Sequence, residues 1–566
     1  MGNGRMSMKR NLKVVIMLLI TTFLVNATGL HVPANDPVYD FLDRMATRGL
    51  IRELMNDTRP LQRDKVAEYL VKLKDREEAL SYTDRQVLKE YLLEYRSEFG
   101  QSRHPKLIEG QNYYTPLSSR ENFAKGIKGI FDKYSEEEPP HLFIYEKDKN
   151  LIWLDVDGRA RLESKNGIFR VLGAGGMRLS TQLGDKLSLY MDARGYLWNV
   201  PDGFADFPGE VRNTYVQDEP TLGAQYFDKT EAYFQYRDPA AGAFSVNHES
   251  IIWGNSPNSM ILSDNIAPFG FIRWQKDFDN VKYTFVHGSL LGIDPDIDAE
   301  TNIKSFPRKY FVGHRLETAF LPSFHFAFTE MIIYGNRNYE FDYIIPVSLL
   351  FNMEHEQRDR DNNLMAFEFE WFPFAGLKMY GNLLLDELKV TEIGKSWWAN
   401  KQGWQTGIHI SPRIPTELIV EWTGVRPWTY THKVAVNTYA HNGECLGFYA
   451  GPNSQLWFVE NRWWFSRQLY AKLQYRRLKH GVDPLPASDP GYYPVGGDAN
   501  QDYSQRNPDY DDKTKWLMGD IETTNEYGIF LTYRWRKEIF FDCGGQLREI
   551  DGRVDKFLSF QIRFDY

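Results

Sequence analysis

The chain has 566 residues, 67 Lys+Arg against 76 Asp+Glu, a formal net charge of −9, 15% aromatic residues and two cysteines. An acidic balance argues against nucleic acid as a partner. Mean hydropathy is −0.50, and outside the N-terminus nothing approaches the ~18 apolar residues of a membrane helix, which leaves a soluble protein or one that crosses a membrane as alternating strands.

The N-terminus reads as an export signal. Arg5, Lys9, Arg10 and Lys13 precede a short apolar run over 14–25, and Val25-Asn26-Ala27 forms a small-residue cleavage site, cut after Ala27. The expected mature chain keeps 63 Lys+Arg against 76 Asp+Glu, a net of −13. Four units follow: a signal peptide over 1–27, a helical periplasmic domain over 28–110, a linker over 111–149 and a barrel over 150–566.

Helical periodicity dominates before residue 150. Asp36-Pro37 reads as an N-cap with proline at the first helical position, Val38, Phe41, Leu42 and Met45 share a face, and Gly49 ends the helix. A second helix is expected over 63–80 with Val66, Tyr69, Leu70 and Leu73 inward. A third opens on Thr83 and Gln86 as a capping box, carries Val87, Tyr91, Leu92 and Tyr95, and closes at Gly100.

Beyond residue 150 the period becomes two. Leu187, Leu189 and Met191 alternate with Ser188, Tyr190 and Asp192, and Met365, Phe367, Phe369 and Trp371 with Ala366, Glu368 and Glu370. The final strand sets Leu558, Phe560, Ile562, Phe564 and Tyr566 against Ser559, Gln561, Arg563 and Asp565, an apolar face for lipid and a polar one for water. Short turns at 183–185, 238–240, 277–279, 321–323, 372–374, 411–413 and 535–537 alternate with long polar stretches at 196–229, 248–268, 290–309, 335–361, 387–402, 425–453 and 480–525. That alternation gives an all-β transmembrane barrel of about 18 antiparallel strands, with a polar lumen and a small N-terminal α-helical periplasmic domain. Arg315, Glu317, Glu330, Glu368, Glu370 and Glu421 are expected on the lumen face as a structural ion-pair lattice.

Chemistry-bearing motifs are sparse. Neither cysteine has a second Cys or a His at zinc-ligand spacing; Cys445 and Cys543 satisfy a disulfide or two separate thiols equally. The acidic run over 294–298 lacks the glycine and distal glutamate of a calcium loop and reads as solvated. No nucleophile elbow, P-loop or HExxH is present, so neither enzymatic activity nor a cofactor or metal is expected.

A series of motifs resembles the Wzi-type capsule-assembly outer-membrane proteins. ESIIWGNSPNSMILSDNIAPFGFIR begins at Glu249. HRLETAF at His314, Thr329-Glu330 with IIYGNR, Tyr343 with IIP, Asp361-Asn362-Asn363, LLLDE ending at Glu387, EWTGVRPWTYTH from Glu421, and HNGECLG with GPNS from His441 follow in order. The resemblance covers roughly 150–566. It implies an 18-stranded barrel with periplasmic helices that attaches capsular or other exported polysaccharide at the cell surface, as a lectin and not an enzyme. The family's Trp-Gly-Pro-Gly type turn is here Trp253-Gly254-Asn255-Ser256-Pro257, a local departure.

Polysaccharide is held by aromatic faces for C–H surfaces, and by amides, carboxylates and cations for hydroxyls and acidic groups. The candidates are Trp253, Asn255, Asn265, Asp361, Asn363, Trp397, Trp398, Tyr430, His432, His441 and Asn442, with Tyr439, Tyr492 and Tyr493 beside them on the long loops. Trp463-Trp464 reads as an inner girdle. Outer-membrane lipid and lipopolysaccharide are the expected surroundings. Two alternatives stay open. A polar lumen also suits a porin-like channel for small solutes or oligosaccharides. DPVYDFLDRMATRGLI followed by LQRDKVAEYL resembles an S-layer-homology motif, which would tether the barrel to peptidoglycan.

Overall fold

The computed structural model describes residues 29–99, 112–115 and 141–566, apart from 205, 212–214, 294–295, 298–303, 490, 537 and 566. The export signal, most of the linker, Gly100 and most of the acidic run over 294–298 lie outside the described residues.

Three helices form the N-terminal domain: α1 (Pro37–Thr47), α2 (Arg63–Lys74) and α3 (Tyr82–Glu94). The Asp36 carboxylate accepts from the Val38 amide at 2.8 Å, and Gly49 at φ +83° closes α1. α2 stops short of Leu80, because Asp75, Arg76, Glu77 and Glu78 offer no apolar stripe to bury; a 3₁₀ turn, Glu77–Ala79, follows. The cap of α3 is Ser81, not Thr83: its hydroxyl accepts from the Asp84 amide at 3.1 Å. Val38, Leu42, Met45, Val66, Leu70, Leu73 and Leu88 pack together, and Phe372 of the barrel completes their core.

The barrel strands are β1 (Asn150–Lys165), β2 (Ile168–Leu183), β3 (Leu187–Asn199), β4 (Ala224–Asp238), β5 (Gly242–Glu249), β6 (Phe269–Phe278), β7 (Val281–Leu291), β8 (Arg308–Leu321) and β9 (Phe324–Gly335). They continue as β10 (Asn362–Phe374), β11 (Leu377–Glu387), β12 (Lys401–Ile410), β13 (Thr416–Val425), β14 (Ser454–Trp464), β15 (Leu469–Val482), β16 (Asp520–Arg534), β17 (Ile539–Ile550) and β18 (Arg553–Asp565). Each pairs antiparallel with the next, and β18 closes on β1 from Phe557↔Lys165 to Asp565↔Asp157. The expected count of about 18 is met. Phe372-Pro373-Phe374 stays in β10 with a register shift, and Gly376 at φ +95° makes the turn instead. The end of the expected linker is also sheet: Phe143–Lys147 pairs with β1 from Phe143↔Leu154 to Lys147↔Asn150, in line beyond the end of β18.

Lipid-type alternation is explicit on the outer wall. Leu558, Phe560 and Ile562 are exposed, while Gln561 and Arg563 point inward to Asp542. Cys543 is exposed on β17 and Cys445 buried elsewhere, so both are free thiols. Arg44 lies 3.6 Å over the Trp464 ring, joining α1 to the short-turn end of β14, whereas Trp463 is exposed.

The lumen is not uniformly polar. Toward the long-loop end, segments 250–268 and 426–453 fold inside, and Trp253, Met260, Leu262, Tyr430, Tyr439 and Leu446 pack against inward Phe311, Met331, Leu364, Leu384 and Phe458. Mid-barrel the lattice expected from sequence is present: Glu368 pairs with Arg315, Glu317 with Lys282 at 3.2 Å, and Glu370 with Lys378 at 2.9 Å. Its burial costs desolvation that only complete pairing offsets. Glu421 and Glu330 depart from the expectation: Glu421 faces inward but is met by neutral donors and, among the described residues, by no cation, and Glu330 is not in the lumen. It lies on the outer wall in register with Met365, under segment 336–361, which folds back over the outside of β7–β9.

Candidate functional site

The N-terminal domain and the plug meet inside the barrel. Thr58 pairs with Trp253 and Arg59 with Ile252, and the Gly254 amide donates to the Asp57 carbonyl at 2.8 Å. Thr58 Oγ1 accepts from Arg315 Nε at 2.9 Å and donates to Glu317 at 2.8 Å. Glu421 holds the next stretch: its carboxylate accepts from Ser256 at 2.6 Å, Asn258 at 2.9 Å, Tyr380 at 2.7 Å and Gln405 at 3.3 Å.

Above the plug, the loops 388–400, 426–453 and 483–519 interlock. The Trp398 amide donates to the Asp511 carbonyl at 2.9 Å, Thr514 to Ser396 at 2.9 Å, and Trp428 to Gly496 at 3.0 Å. Gly496 is required there, since a Cβ would stand 2.5 Å from the Trp428 ring. Together they shape a shallow open cleft lined by Trp398, Trp428, Tyr493, Arg506, Tyr510 and Asp511, among others. Tyr493 and Tyr510 stack at 5.3 Å with planes 18° apart, and Tyr510 is 38% exposed. Arg506 lies 3.8 Å over the Trp398 ring and makes two bonds to Asp511, at 2.9 and 3.0 Å. The cleft thus presents the partly exposed rings and hydroxyls of Tyr493 and Tyr510 and a neutralised cation, with Trp398 and Trp428 buried in its wall, a chemistry suited to sugar rings.

The sequence candidates separate. Trp398 enters the cleft, and Trp397 stands beside it with Lys389 4.9 Å over its ring. Trp253 and Tyr430 are fully buried in the plug, where Tyr430 Oη donates to the Met260 carbonyl at 2.6 Å; neither offers a ring face to a ligand. Asn255 donates to the Phe369 carbonyl at 3.1 Å on the lumen side, and Asn265, half-buried, is held by Ser263 at 3.4 Å. Asp361 is buried, accepting from Arg337 and Tyr343, and Asn363 follows at the start of β10 facing the outer wall. His432 and His441 are buried in the plug loop. Burial pushes His432 down to about 3, with Lys401 and Lys433 adding to it, and His441 down to about 4, with Lys309 and His248 adding. Both are neutral acceptors, His432 from the Val434 amide at 3.1 Å and His441 from Leu291 at 3.0 Å. Asn442, at φ +50°, makes the tight turn beside His441. Sequence reasoning missed Trp428, Arg506, Tyr510 and Asp511; the aromatic, Asp- and Pro-rich stretch over 489–512 was the available signal.

A closed antiparallel barrel with an apolar outer wall, an internal plug and elaborated loops defines a transmembrane β-barrel of the outer membrane. The family model described as capsule assembly protein Wzi matches residues 180–545, and the chain belongs to that family. Among solved structures it is similar to Wzi of Escherichia coli, described as a carbohydrate-binding β-barrel involved in group 1 capsule assembly. Identity is 12% over 95% of this chain and 99% of that one, with a TM-score of 0.54. It is more distantly similar to OprD of Pseudomonas aeruginosa, at 12% identity over 73% and 93% of the two chains and a TM-score of 0.41. No curated protein matches the chain in sequence.

Proposed function

We propose that this capsule-assembly barrel binds exported polysaccharide on its long-loop face and retains it at the cell surface as a lectin without catalysis. The observation that carries the reading is the cleft in which three loops bring Trp398, Trp428, Tyr493 and Tyr510 together. The E. coli relative's description as carbohydrate-binding supports it. In this reading the long loops are extracellular, the helical domain is periplasmic, and lipopolysaccharide surrounds the outer end. The S-layer-homology resemblance of 36–70 makes peptidoglycan a candidate partner of that domain, tested by pull-down with the intact protein. The primary experiment compares cell-bound with released polymer in a deletion strain complemented by wild type or by cleft variants. Polymer that is made but shed in the deletion and in the cleft variants supports attachment; unchanged retention overturns it.

One observation favours a second reading, passage of a small solute. An open lumenal cavity of about 280 Å³ lies between Pro33–Asp36 and the wall residues Arg178, Tyr190, Asp192, Arg194, Lys229 and Glu231. Planar-bilayer conductance separates the two: a plugged lectin passes little current, a channel passes steady current that the solute blocks.

A further inference from the structure

Segment 336–361 is a two-sided cover on the outside of the barrel. Its inner side packs Tyr343, Leu350 and Met353 against outward Phe285, Tyr310, Val312, Ile332 and Tyr334. It also shields polar groups that would otherwise face lipid. Glu330 accepts from the Leu350 and Phe351 amides at 3.0 and 2.5 Å, with His314 Nε2 at 2.7 Å, and His287 meets Tyr334 Oη at 2.8 Å. The cover is latched by Arg337, whose guanidinium makes two bonds to Asp361, at 2.8 and 2.5 Å, while Tyr343 donates to the same carboxylate at 2.8 Å.

Its other side is open, and its central stretch 341–351 is mostly apolar, with Asp342 exposed within it and Asn352, His355, Glu356, Arg358, Asp359 and Arg360 exposed after it. Phe341 is 82% exposed, Val347 74%, Leu349 59%, Ile345 47% and Phe351 44%. In water such a cluster on one short segment would be a liability. Its location explains it. On the same strands, nearer the short turns, Phe320, Phe324, Phe326 and Leu316 form the exposed lipid-type wall. A crossing strand needs about 9–11 residues; counted along β9 from Phe324, that span ends at 332–334, among the residues the segment covers. The open face of the cover is therefore continuous with the bilayer-facing wall and at the level of its outer boundary.

We propose that 336–361 is a membrane-seated flap, with Phe341, Ile345, Val347, Leu349 and Phe351 in contact with the acyl chains of the outer leaflet. Asp361, a sugar-binding candidate from sequence, is then the flap's latch. The flap sets the depth of the barrel and carries no sugar.

The test uses the full-length protein in proteoliposomes, with Cys543→Ser and a nitroxide on Val347→Cys or, separately, Phe341→Cys; buried Cys445 stays in place. Power saturation compares each label with Phe560→Cys on the lipid wall and Lys389→Cys on an exposed loop. The expected result is high accessibility to oxygen and several-fold lower accessibility to a water-soluble nickel chelate than at Lys389, matching Phe560. Nickel accessibility equal to that of Lys389 at both positions places the flap in water and overturns the proposal. A label shielded from both reagents marks a protein partner or a second copy on the face and overturns it as well. Heat-modifiable gel migration verifies that each variant is folded.

Discussion

Glu421→Ala tests whether one buried carboxylate keeps the plug in the barrel. The carboxylate collects four donors, from Ser256, Asn258, Tyr380 and Gln405, two of them on the plug segment, and the residue is 1% exposed. Alanine leaves the Ser256, Asn258 and Tyr380 donors without their acceptor, at about 1–3 kcal/mol for each buried unsatisfied group, while Gln405 keeps the Asn258 carbonyl and the Thr423 hydroxyl. Water entering the vacated space recovers part of this, so the lower end applies, about 3 kcal/mol for the three together. At ~1.4 kcal/mol per decade this is about two decades in the opening equilibrium of the segment. Hydrogen exchange read by mass spectrometry on peptides covering 250–268 should accelerate by roughly that factor, while the β16–β18 peptides keep the wild-type rate. Glu421→Gln preserves the shape but turns an N–H toward a donor, and should cost about one decade. Exchange in 250–268 as slow in the alanine variant as in wild type would refute the reasoning, and the plug would then owe its position to its apolar contacts and its other hydrogen bonds, to Asp57 and Phe369 among them.

Three further outcomes are expected. Tyr493→Ala with Tyr510→Ala removes two stacked rings worth about 0.5–1.5 kcal/mol each; polymer binding measured by surface plasmon resonance should weaken roughly five- to 150-fold, and unchanged affinity would exclude the cleft. His432 and His441 fall to about 3 and 4 in the folded chain, from the ordinary value of 6.5. The unfolded chain then binds more protons, so stability is complete above pH 6.5 and is lost as pH falls through this window toward 4 and 3. Hydrogen exchange over 426–453 should accelerate between pH 6.5 and 4 beyond the intrinsic rate change, and less so in His432→Asn. Ser81→Ala removes the cap of α3 and should cost about 1 kcal/mol, seen as faster exchange confined to 82–94; no change would mean that packing alone fixes the helix start.

The sequence by itself determined the class of structure. Period-two alternation decides which side chains face lipid, because a one-residue slip would reverse every one of them. Thus Leu558, Phe560 and Ile562, and the inward Glu368 and Glu370, were legible without coordinates, as was the strand count from alternating short and long connections. The cap at Asp36 and the stop at Gly49 were legible for the same local reason.

Only the tertiary structure decided where the long segments go, because a strand pattern ends where a loop begins and carries no information about its direction. Segment 250–268 turned inward and buried Trp253, segment 336–361 turned outward, covering Glu330 on the outer wall and taking Asp361 out of its expected binding role, and segments 388–400, 426–453 and 483–519 converged on one cleft. Strand alternation sets Glu330 on the same face as Phe324, Phe326 and Phe328, the outer wall, against the lumen position expected for it. A carboxylate on a lipid-type wall is physically admissible only under a cover, and that cover is a property of the fold.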